Sequence, residues 1–167
     1  MTITRIALAT GAAGALLLGS ALAKPGDEDA VKKTLSDSFA SWTACDLDAA
    51  YKFDADGRSS YYPDSADIQL SDDASRQKEA DFCKNGGKNE ATYQVNGVIL
   101  MGDTAVAHGF GHYKRTEPGG AVSVDNDYTF TDILVRTKEG WKFRHSHIGA
   151  VMPMEETTAA AAPAEPQ

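Results

Sequence analysis

The sequence predicts an α+β fold, with three N-terminal helices packed on a curved antiparallel sheet of four to six strands. Apolar residues recur at helical spacing in the first half of the chain. After Gly87, apolar and polar residues alternate with the period of a strand. Gly102-Asp103 and Lys138-Glu139-Gly140 then provide tight turns between consecutive strands. Helices followed by a strand meander are typical of the α+β class.

The first helix is predicted from Asp27 to Trp42. Three acidic residues begin it, where negative charge stabilises the positive end of the helix dipole. Its apolar face repeats at spacings of four, four and three residues, as an amphipathic helix requires. That face consists of Val31, Leu35, Phe39 and Trp42.

Two further helices follow before the sheet. A short helix is predicted over residues 46–51, with Asp46 as its N-cap. A third helix is predicted to start after a cap at Ser71 and to end at Asn85-Gly86-Gly87, which is a strong C-terminal stop. Its apolar residues are few: Ala74, Phe82 and Cys83.

The strands are predicted from period-two alternation and from the turns that bound them. A short first strand is stopped by Pro63, because proline cannot donate to a sheet ladder. The last four strands form an antiparallel meander. The predicted ranges are Arg58–Tyr62, Thr92–Met101, Thr104–Lys114, Val122–Arg136 and Trp141–Ala150.

The two ends of the chain differ from its middle. Residues 1–23 have the charge, apolar run and small-x-small ending of a cleavable signal peptide; an uncleaved anchor is the alternative. Residues 154–167 contain no large apolar side chain apart from Met154, and are predicted to be a disordered tail. One domain, residues 24–153, lies between them, and the protein is expected to be periplasmic or secreted.

Composition restricts the partners of this domain. Without the leader the chain keeps 15 Lys and Arg against 24 Asp and Glu, a net charge of −9. Such a field repels nucleic acid and anionic lipid, so neither is expected as a partner after cleavage.

Cys45 and Cys83 are the only cysteines of the chain. Outside the cytoplasm such a pair can persist as a disulfide, which would tie the end of the first helix to the end of the third. Two free buried thiols, or one reactive thiol, are the alternatives. A structural zinc site is not expected from two cysteines without a CxxC motif.

Three stretches resemble motifs of the nuclear transport factor 2-like superfamily. The segment 42–51 is similar to the end of the first helix of that superfamily, followed by x-D-x-D-A. The segment 98–107 is similar to the hairpin of the superfamily that contains G-D. The most specific is 131–147, which resembles the final hairpin with G-W and H-x-H. Residues 54–69 depart from the family pattern, being polar where the family usually has an apolar strand.

The resemblance implies a cone-shaped α+β fold, shared by ketosteroid isomerases, SnoaL-like proteins and calcium/calmodulin-dependent kinase II association domains. It also implies a homodimer and a pocket for a small, apolar or partly polar ligand, with no cofactor. The exposed face of the sheet is the natural dimer surface.

The four histidines form two pairs on predicted strands. His108 and His112 share a face with Phe110, and His145 and His147 are predicted to share a face with Trp141 and Phe143. His147 and His112 are candidate acid/base residues, because imidazole transfers protons near neutral pH. The candidate ligand-binding residues are His108, Phe110, His145, Phe143 and Trp42.

Other interpretations of these histidines stay open. Strand histidines also face solvent or sit hydrogen-bonded in a core. His145-x-His147 with a third histidine could hold zinc, but the families resembled are mostly metal-free, so no metal is predicted.

Asp132 and Tyr128 complete the candidate catalytic set. Asp132 is predicted to share a strand face with Tyr128, Phe130 and Leu134. A carboxyl among aromatic side chains has a raised pKa and can act as a base or as a hydrogen-bond donor. The alternative for Asp132 is an ion pair with Arg115, Arg136 or Arg144.

Two functional hypotheses follow. The first is an exported, dimeric domain that binds a small molecule without transforming it. The second is a cofactor-independent lyase or isomerase that uses an acid/base set from the pocket. No P-loop, G-x-G-x-x-G, G-x-S-x-G or H-E-x-x-H motif occurs, so nucleotide-dependent and triad mechanisms have no support in the sequence.

Overall fold

A computed structural model describes residues 23–151. The predicted signal peptide, apart from Ala23, and the predicted tail lie outside the described residues. In chain order the elements are α1 (Asp27–Thr43), α2 (Leu47–Ala50), β1 (Asp54–Tyr61), β2 (Gln69–Leu70), α3 (Asp73–Lys84), β3 (Lys88–Met101), β4 (Thr104–Thr116), β5 (Val122–Thr137) and β6 (Gly140–Ala150). A 3-10 turn, Tyr51–Phe53, joins α2 to β1. No helix in the described range is long and apolar enough to span a membrane.

The predicted α+β arrangement is confirmed: three helices pack on a six-stranded sheet within the described residues. The strand order is β2-β1-β6-β5-β4-β3. The prediction of a purely antiparallel sheet is wrong at one place, because β1 pairs with β6 in parallel. This pairing needs a crossover, which the helix α3 and the meander of β3 to β5 provide.

The helix α1 packs its apolar stripe into the concave face of the sheet. Val31 and Leu35 are fully buried there. Phe39 stacks on Tyr93 of β3, with ring centroids 4.6 Å apart. The helix therefore forms one wall of the interior, as its spacing of apolar residues predicted.

The first turn of α1 is tied to the sheet through Asp27. The carboxylate of Asp27 accepts a hydrogen bond from the backbone nitrogen of Lys24 at 2.5 Å. It also pairs with the guanidinium of Arg136 on β5. Arg136 in turn lies over the ring of Trp141, 4.3 Å from its centroid. These contacts lower the pKa of Asp27, chiefly through the hydrogen bond from Arg136.

The cap of α2 agrees with its prediction, whereas the cap of α3 differs by one residue. Asp46 caps α2 as predicted, accepting from the backbone nitrogen of Ala49. For α3 the predicted cap, Ser71, is wrong: Asp72 caps the helix, and its side chain and that of Ser75 form a reciprocal capping box. The hydroxyl of Ser71 instead donates to Asp54 at 2.6 Å.

The helix α3 is the least embedded of the longer elements. Phe82 is its one buried residue, and the ring lies beneath the guanidinium of Arg115 at 3.4 Å. Glu79 pairs with the same arginine at 3.1 Å. A disulfide joins Cys83 to Cys45, in the turn after α1. One buried ring, the ion pairs of Glu79 and Arg76 and one covalent bond thus hold this helix to the domain.

Two bulges set which residues face the interior. One follows Val95 in β3, so that Val98 returns to the same face as Val95 despite the odd spacing. The other is at Arg144 in β6, where Leu134 pairs with Phe143 but Ile133 pairs with His145. After each bulge the alternation of inward and outward side chains is inverted.

Small residues of β4 make room for large ones of β5. An added Cβ at Gly109 would come within 2.8 Å of the Phe130 ring, and at Gly111 within 2.8 Å of the Tyr128 hydroxyl. Ala105 and Ala107 continue this stripe and are fully buried. The stripe lets aromatic rings lie flat against the sheet.

Candidate functional site

A buried polar cluster lies inside an otherwise apolar cone. Its central residue is Asp132 on β5, which is 3% exposed and pairs in register with Ser146 on β6. The surrounding core includes Phe130, Leu134 and Phe143. The predicted face of Asp132, shared with Tyr128, Phe130 and Leu134, is confirmed by their common burial.

The environment of Asp132 favours its protonated form. Burial raises the pKa of this carboxyl to about 6, while a hydrogen bond from Ser146 and the charge of Arg58 oppose the rise. The alternative ion pairs with Arg115, Arg136 and Arg144 are not formed. The first two pair with Glu79 and Asp27, and Arg144 donates to the carbonyl of Asp56.

Arg58 brings a cation into the same interior from β1. Its guanidinium pairs with Asp54, donates to the Ser146 hydroxyl at 3.3 Å and lies 4.9 Å from the Phe143 ring centroid. Its Nε is buried and has no acceptor among the described residues. The side chain is 21% exposed, against 1% for Asp54, so Arg58 is the member of this ion pair that reaches solvent.

Asp54 connects the interior to the outside of α3. Its carboxylate accepts from Arg58 and Ser71, and Arg76 of α3 approaches it at 3.7 Å. Arg76 also lies over the ring of Tyr51, at 4.5 Å. A continuous series of polar contacts therefore runs from α3 through Asp54 and Arg58 to Ser146.

Tyr128 lies on the same buried face of β5, four residues before Asp132, and is already hydrogen-bonded. Its hydroxyl donates to the backbone carbonyl of Thr92 at 3.1 Å. Burial raises its pKa to about 12, with a further contribution from the charge of Asp132. It is therefore a neutral hydrogen-bond donor near neutral pH.

The predicted aromatic binding residues have different surroundings. Phe143 is 3% exposed and stands beside Arg58 in the interior. Trp42 is half-buried and packs against Tyr113, 5.3 Å between centroids. The hydroxyl of Tyr113 donates to Asn89.

The four histidines lie on the outer face of the sheet. The prediction that His145 and His147 share a face with Trp141 and Phe143 is wrong, because the bulge at Arg144 inverts the alternation between them. His145 lies near the edge and shares a 2.8 Å hydrogen bond with Ser59. His147 is exposed and stands in one row with Thr131 and His108.

His112 and Phe110 are also on this outer face. His112 lies between two exposed carboxylates, 2.8 Å from Asp125 and 2.9 Å from Asp127. The hydrogen bond with Asp127 is the main cause of its raised pKa. Phe110 is 46% exposed. The structure thus places Asp132 and Tyr128 on the same buried face of β5 and all four histidines on the opposite side of the sheet.

Sequence reasoning missed Arg58, Ser146 and Asp54. Arg58 was predicted to lie in a strand, but the polar segment 54–69 gave no sign of which side chains turn inward. The parallel pairing of β1 with β6 brings Arg58 to Ser146, and that pairing has no local sequence signal.

Two open clefts lie on the surface near this cluster. The larger, of about 540 Å³, runs between α2 and α3 and is lined by Tyr51, Lys52 and Arg76 among others. The smaller, of about 360 Å³, borders Asp54 and the β5–β6 turn. No group of three or more His, Cys, Asp or Glu side chains within residues 23–151 is arranged to hold a metal ion.

Comparison with known proteins identifies the fold. No protein-family model and no curated protein matches the sequence. Solved structures do match, among them a ketosteroid isomerase-like protein from Erwinia carotovora atroseptica with a TM-score of 0.64. It is 12% identical and the alignment covers 78% of this chain and 100% of that one.

Two other structures extend the likeness. A nuclear transport factor 2-like protein of unknown function from Pseudomonas putida has a TM-score of 0.58 at 18% identity, covering 86% of this chain and 99% of that one. The calcium/calmodulin-dependent kinase II hub of S. rosetta has a TM-score of 0.56 at 18% identity, covering 78% and 99%. The chain therefore shares its fold with these nuclear transport factor 2-like structures, and this is the fold that the sequence motifs predicted.

Proposed function

We propose that this nuclear transport factor 2-like domain is an exported small-molecule-binding protein whose ligand contacts Asp132, Ser146 and Arg58. The observation that supports it is the buried carboxyl of Asp132, which has no ion-pair partner among the described residues. Burying an ionisable group costs stability unless it is fully paired. A polar group that the fold alone does not need is a candidate for recognition.

The neighbours of Asp132 make the site suited to a ligand that is apolar with one polar end. Phe143 and Phe130 are aromatic members of the core around Asp132, while Ser146 and Arg58 carry hydrogen-bond donors. Sites for small molecules commonly combine apolar walls with a few polar groups that fix orientation. Export is supported by the predicted leader, and a disulfide between Cys45 and Cys83 is compatible with an oxidising compartment.

A thermal-shift screen of the mature protein against small apolar acids, amides and alcohols tests this proposal. We expect a compound that raises the Tm of the wild type and of His147→Ala, but not of Asp132→Asn. His147 is the matched control, because it lies on the outer face of the neighbouring strand. A shift lost in His147→Ala and kept in Asp132→Asn would instead support the role in ligand binding that the sequence predicted for His147.

The same domain is proposed to work as a homodimer through the outer face of its sheet. Ile99, Met101 and Phe110 are each about half exposed there, which leaves apolar surface uncovered. The hub protein named above has the same fold. Sedimentation should give a dimer for the wild type and a monomer for Phe110→Glu. Leu70→Glu, at an equally exposed position on the edge strand β2, should stay dimeric; a monomeric wild type would contradict the proposal.

An isomerase or lyase is the second candidate, favoured by the pKa of about 6 at Asp132. A carboxylate with a pKa near the working pH is an efficient general base, and neutral Tyr128 could donate to a developing oxyanion. Tyr128 would first have to leave the carbonyl of Thr92. For any carbonyl ligand found, exchange of its α-hydrogen with solvent deuterium, followed by NMR, tests this role. Exchange should be lost in Asp132→Asn and much reduced in Tyr128→Phe.

A further inference from the structure

The polar cluster contains one hydrogen-bond donor without an acceptor among the described residues, the Nε of Arg58. Its net charge depends on whether Asp132 is protonated. Asp54 is shared by Arg58 and Arg76, and Asp132 is the second carboxyl of the group. With Asp132 ionised, these four side chains have no net charge. With Asp132 protonated, they carry one positive charge, and the Nε of Arg58 still has no acceptor.

We propose that the ligand of the interior is a small carboxylic acid, which binds through Arg58 and is taken up together with a proton that resides on Asp132. The inference rests on the proposed function, since it names the ligand class and the proton linkage of the same site. Arginine suits this role because its planar guanidinium matches a carboxylate.

The geometry favours an anion over a cation or a neutral ligand. Arg58 is 21% exposed, whereas Asp54 beside it is 1% exposed and Asp132 lies deeper, at 3% exposure. An incoming ligand therefore meets the guanidinium first. The charged and titratable groups that act on Asp132 are Arg58 and Tyr128, together with the hydroxyl of Ser146.

Proton uptake is expected from the repulsion between two negative charges in one site. A ligand carboxylate on Arg58 would lie near Asp132, and two carboxylates that share one site do not both stay ionised. Binding therefore adds a proton wherever Asp132 is ionised in the free protein. Affinity is expected to fall about tenfold for each pH unit above the pKa of Asp132 and to level off below it.

Calorimetry with benzoate, benzamide and benzylamine as probes tests the inference on the wild-type protein. Titrations in two buffers of different ionisation enthalpy count the protons taken up. We expect benzoate to bind most tightly, with close to one proton taken up at about pH 8 and few at about pH 5. Equal binding of benzamide, preferential binding of benzylamine, or no proton uptake at the higher pH would overturn it.

Two variants separate this inference from the proposed function. Arg58→Lys keeps a positive charge beside Asp54 but removes the guanidinium and its Nε. It should weaken benzoate binding at least about tenfold and leave benzamide binding unchanged. Asp132→Asn should bind benzoate with an affinity independent of pH. If benzamide binds and benzoate gains nothing from Arg58, the small-molecule function survives and the acid-binding inference fails. If none of the three probes binds at the interior, both fail.

Discussion

Asp132 makes the stability of the domain depend on pH in an uncommon direction. Its pKa is about 6 in the folded protein, whereas an unfolded chain has a carboxyl near 3.9. The folded state therefore binds more protons between these values. The resulting stabilisation is fully present below about pH 4 and is lost as the pH rises through about 6. It amounts to about 3 kcal/mol.

Replacing Asp132 with asparagine should remove this contribution. We expect the free energy of unfolding of Asp132→Asn, relative to the wild type, to increase by about 2 kcal/mol between pH 4 and 7. Urea unfolding at several pH values measures it. Asp64→Asn, at an exposed carboxyl outside this cluster, should follow the wild-type pH dependence. A constant difference between Asp132→Asn and the wild type would show that Asp132 titrates normally.

Gly109 illustrates how closely β4 and β5 pack. A Cβ there would lie 1.9 Å from the carbonyl oxygen of Gln94, which belongs to the backbone and cannot move aside cheaply. Gly109→Ala should therefore lower the free energy of unfolding by about 2 kcal/mol or more. Gly149→Ala is the matched control, because its Cβ would only meet the Thr129 hydroxyl at 3.0 Å. Equal effects in urea unfolding would contradict the steric explanation.

At the scale of elements, α3 should depend most on the disulfide. Its single buried ring and its ion pair with Arg115 are weak anchors for twelve residues. Cys45→Ser with Cys83→Ser should lower the free energy of unfolding by about 2 to 4 kcal/mol. Hydrogen exchange should accelerate in α3 and stay slow in β4 and β5. Reductant should reproduce the effect in the wild type and change nothing further in the variant.

The elements that local signals specify were predictable from sequence. The hairpin at Gly102-Asp103 and the stripe of apolar residues on α1 depend on neighbours within a few positions, and both occur as predicted. The two-residue strand β2 and the parallel pairing of β1 with β6 depend on partners far along the chain. Neither has a periodic signal, so neither was predicted.

The residues of the candidate site also divide into those that local signals predict and those that depend on distant partners or on a bulge. Asp132 and Tyr128 were predicted to share a face because β5 runs without a bulge between them. His145 and His147 were misplaced because one extra residue, Arg144, inverts the alternation in β6. Arg58 was missed because its inward position follows from the long-range pairing of β1 rather than from its own segment.

At the scale of the whole molecule, the sheet separates two chemistries. The concave face holds the ionisable cluster among aromatic rings, and the convex face presents the histidines with exposed apolar side chains. The proposed ligand binding inside and the proposed self-association outside should therefore respond to separate substitutions. Phe110→Glu should abolish the dimer without changing the pH dependence that Asp132 confers, and a combined sedimentation and urea series would check both on one sample.

The contact between Lys24 and Asp27 has a consequence for the maturation of the protein. If the leader is removed after Ala23, the nitrogen that now donates to Asp27 as a backbone amide becomes a charged ammonium group. Processing would then turn a neutral hydrogen bond into a second cation on a carboxylate already paired with Arg136. The mature chain should have a higher Tm than the same chain with an acetylated N-terminus, and Asp27→Asn should cancel the difference. Removal of the leader would thus strengthen the attachment of α1 to the sheet, which is weaker in the precursor.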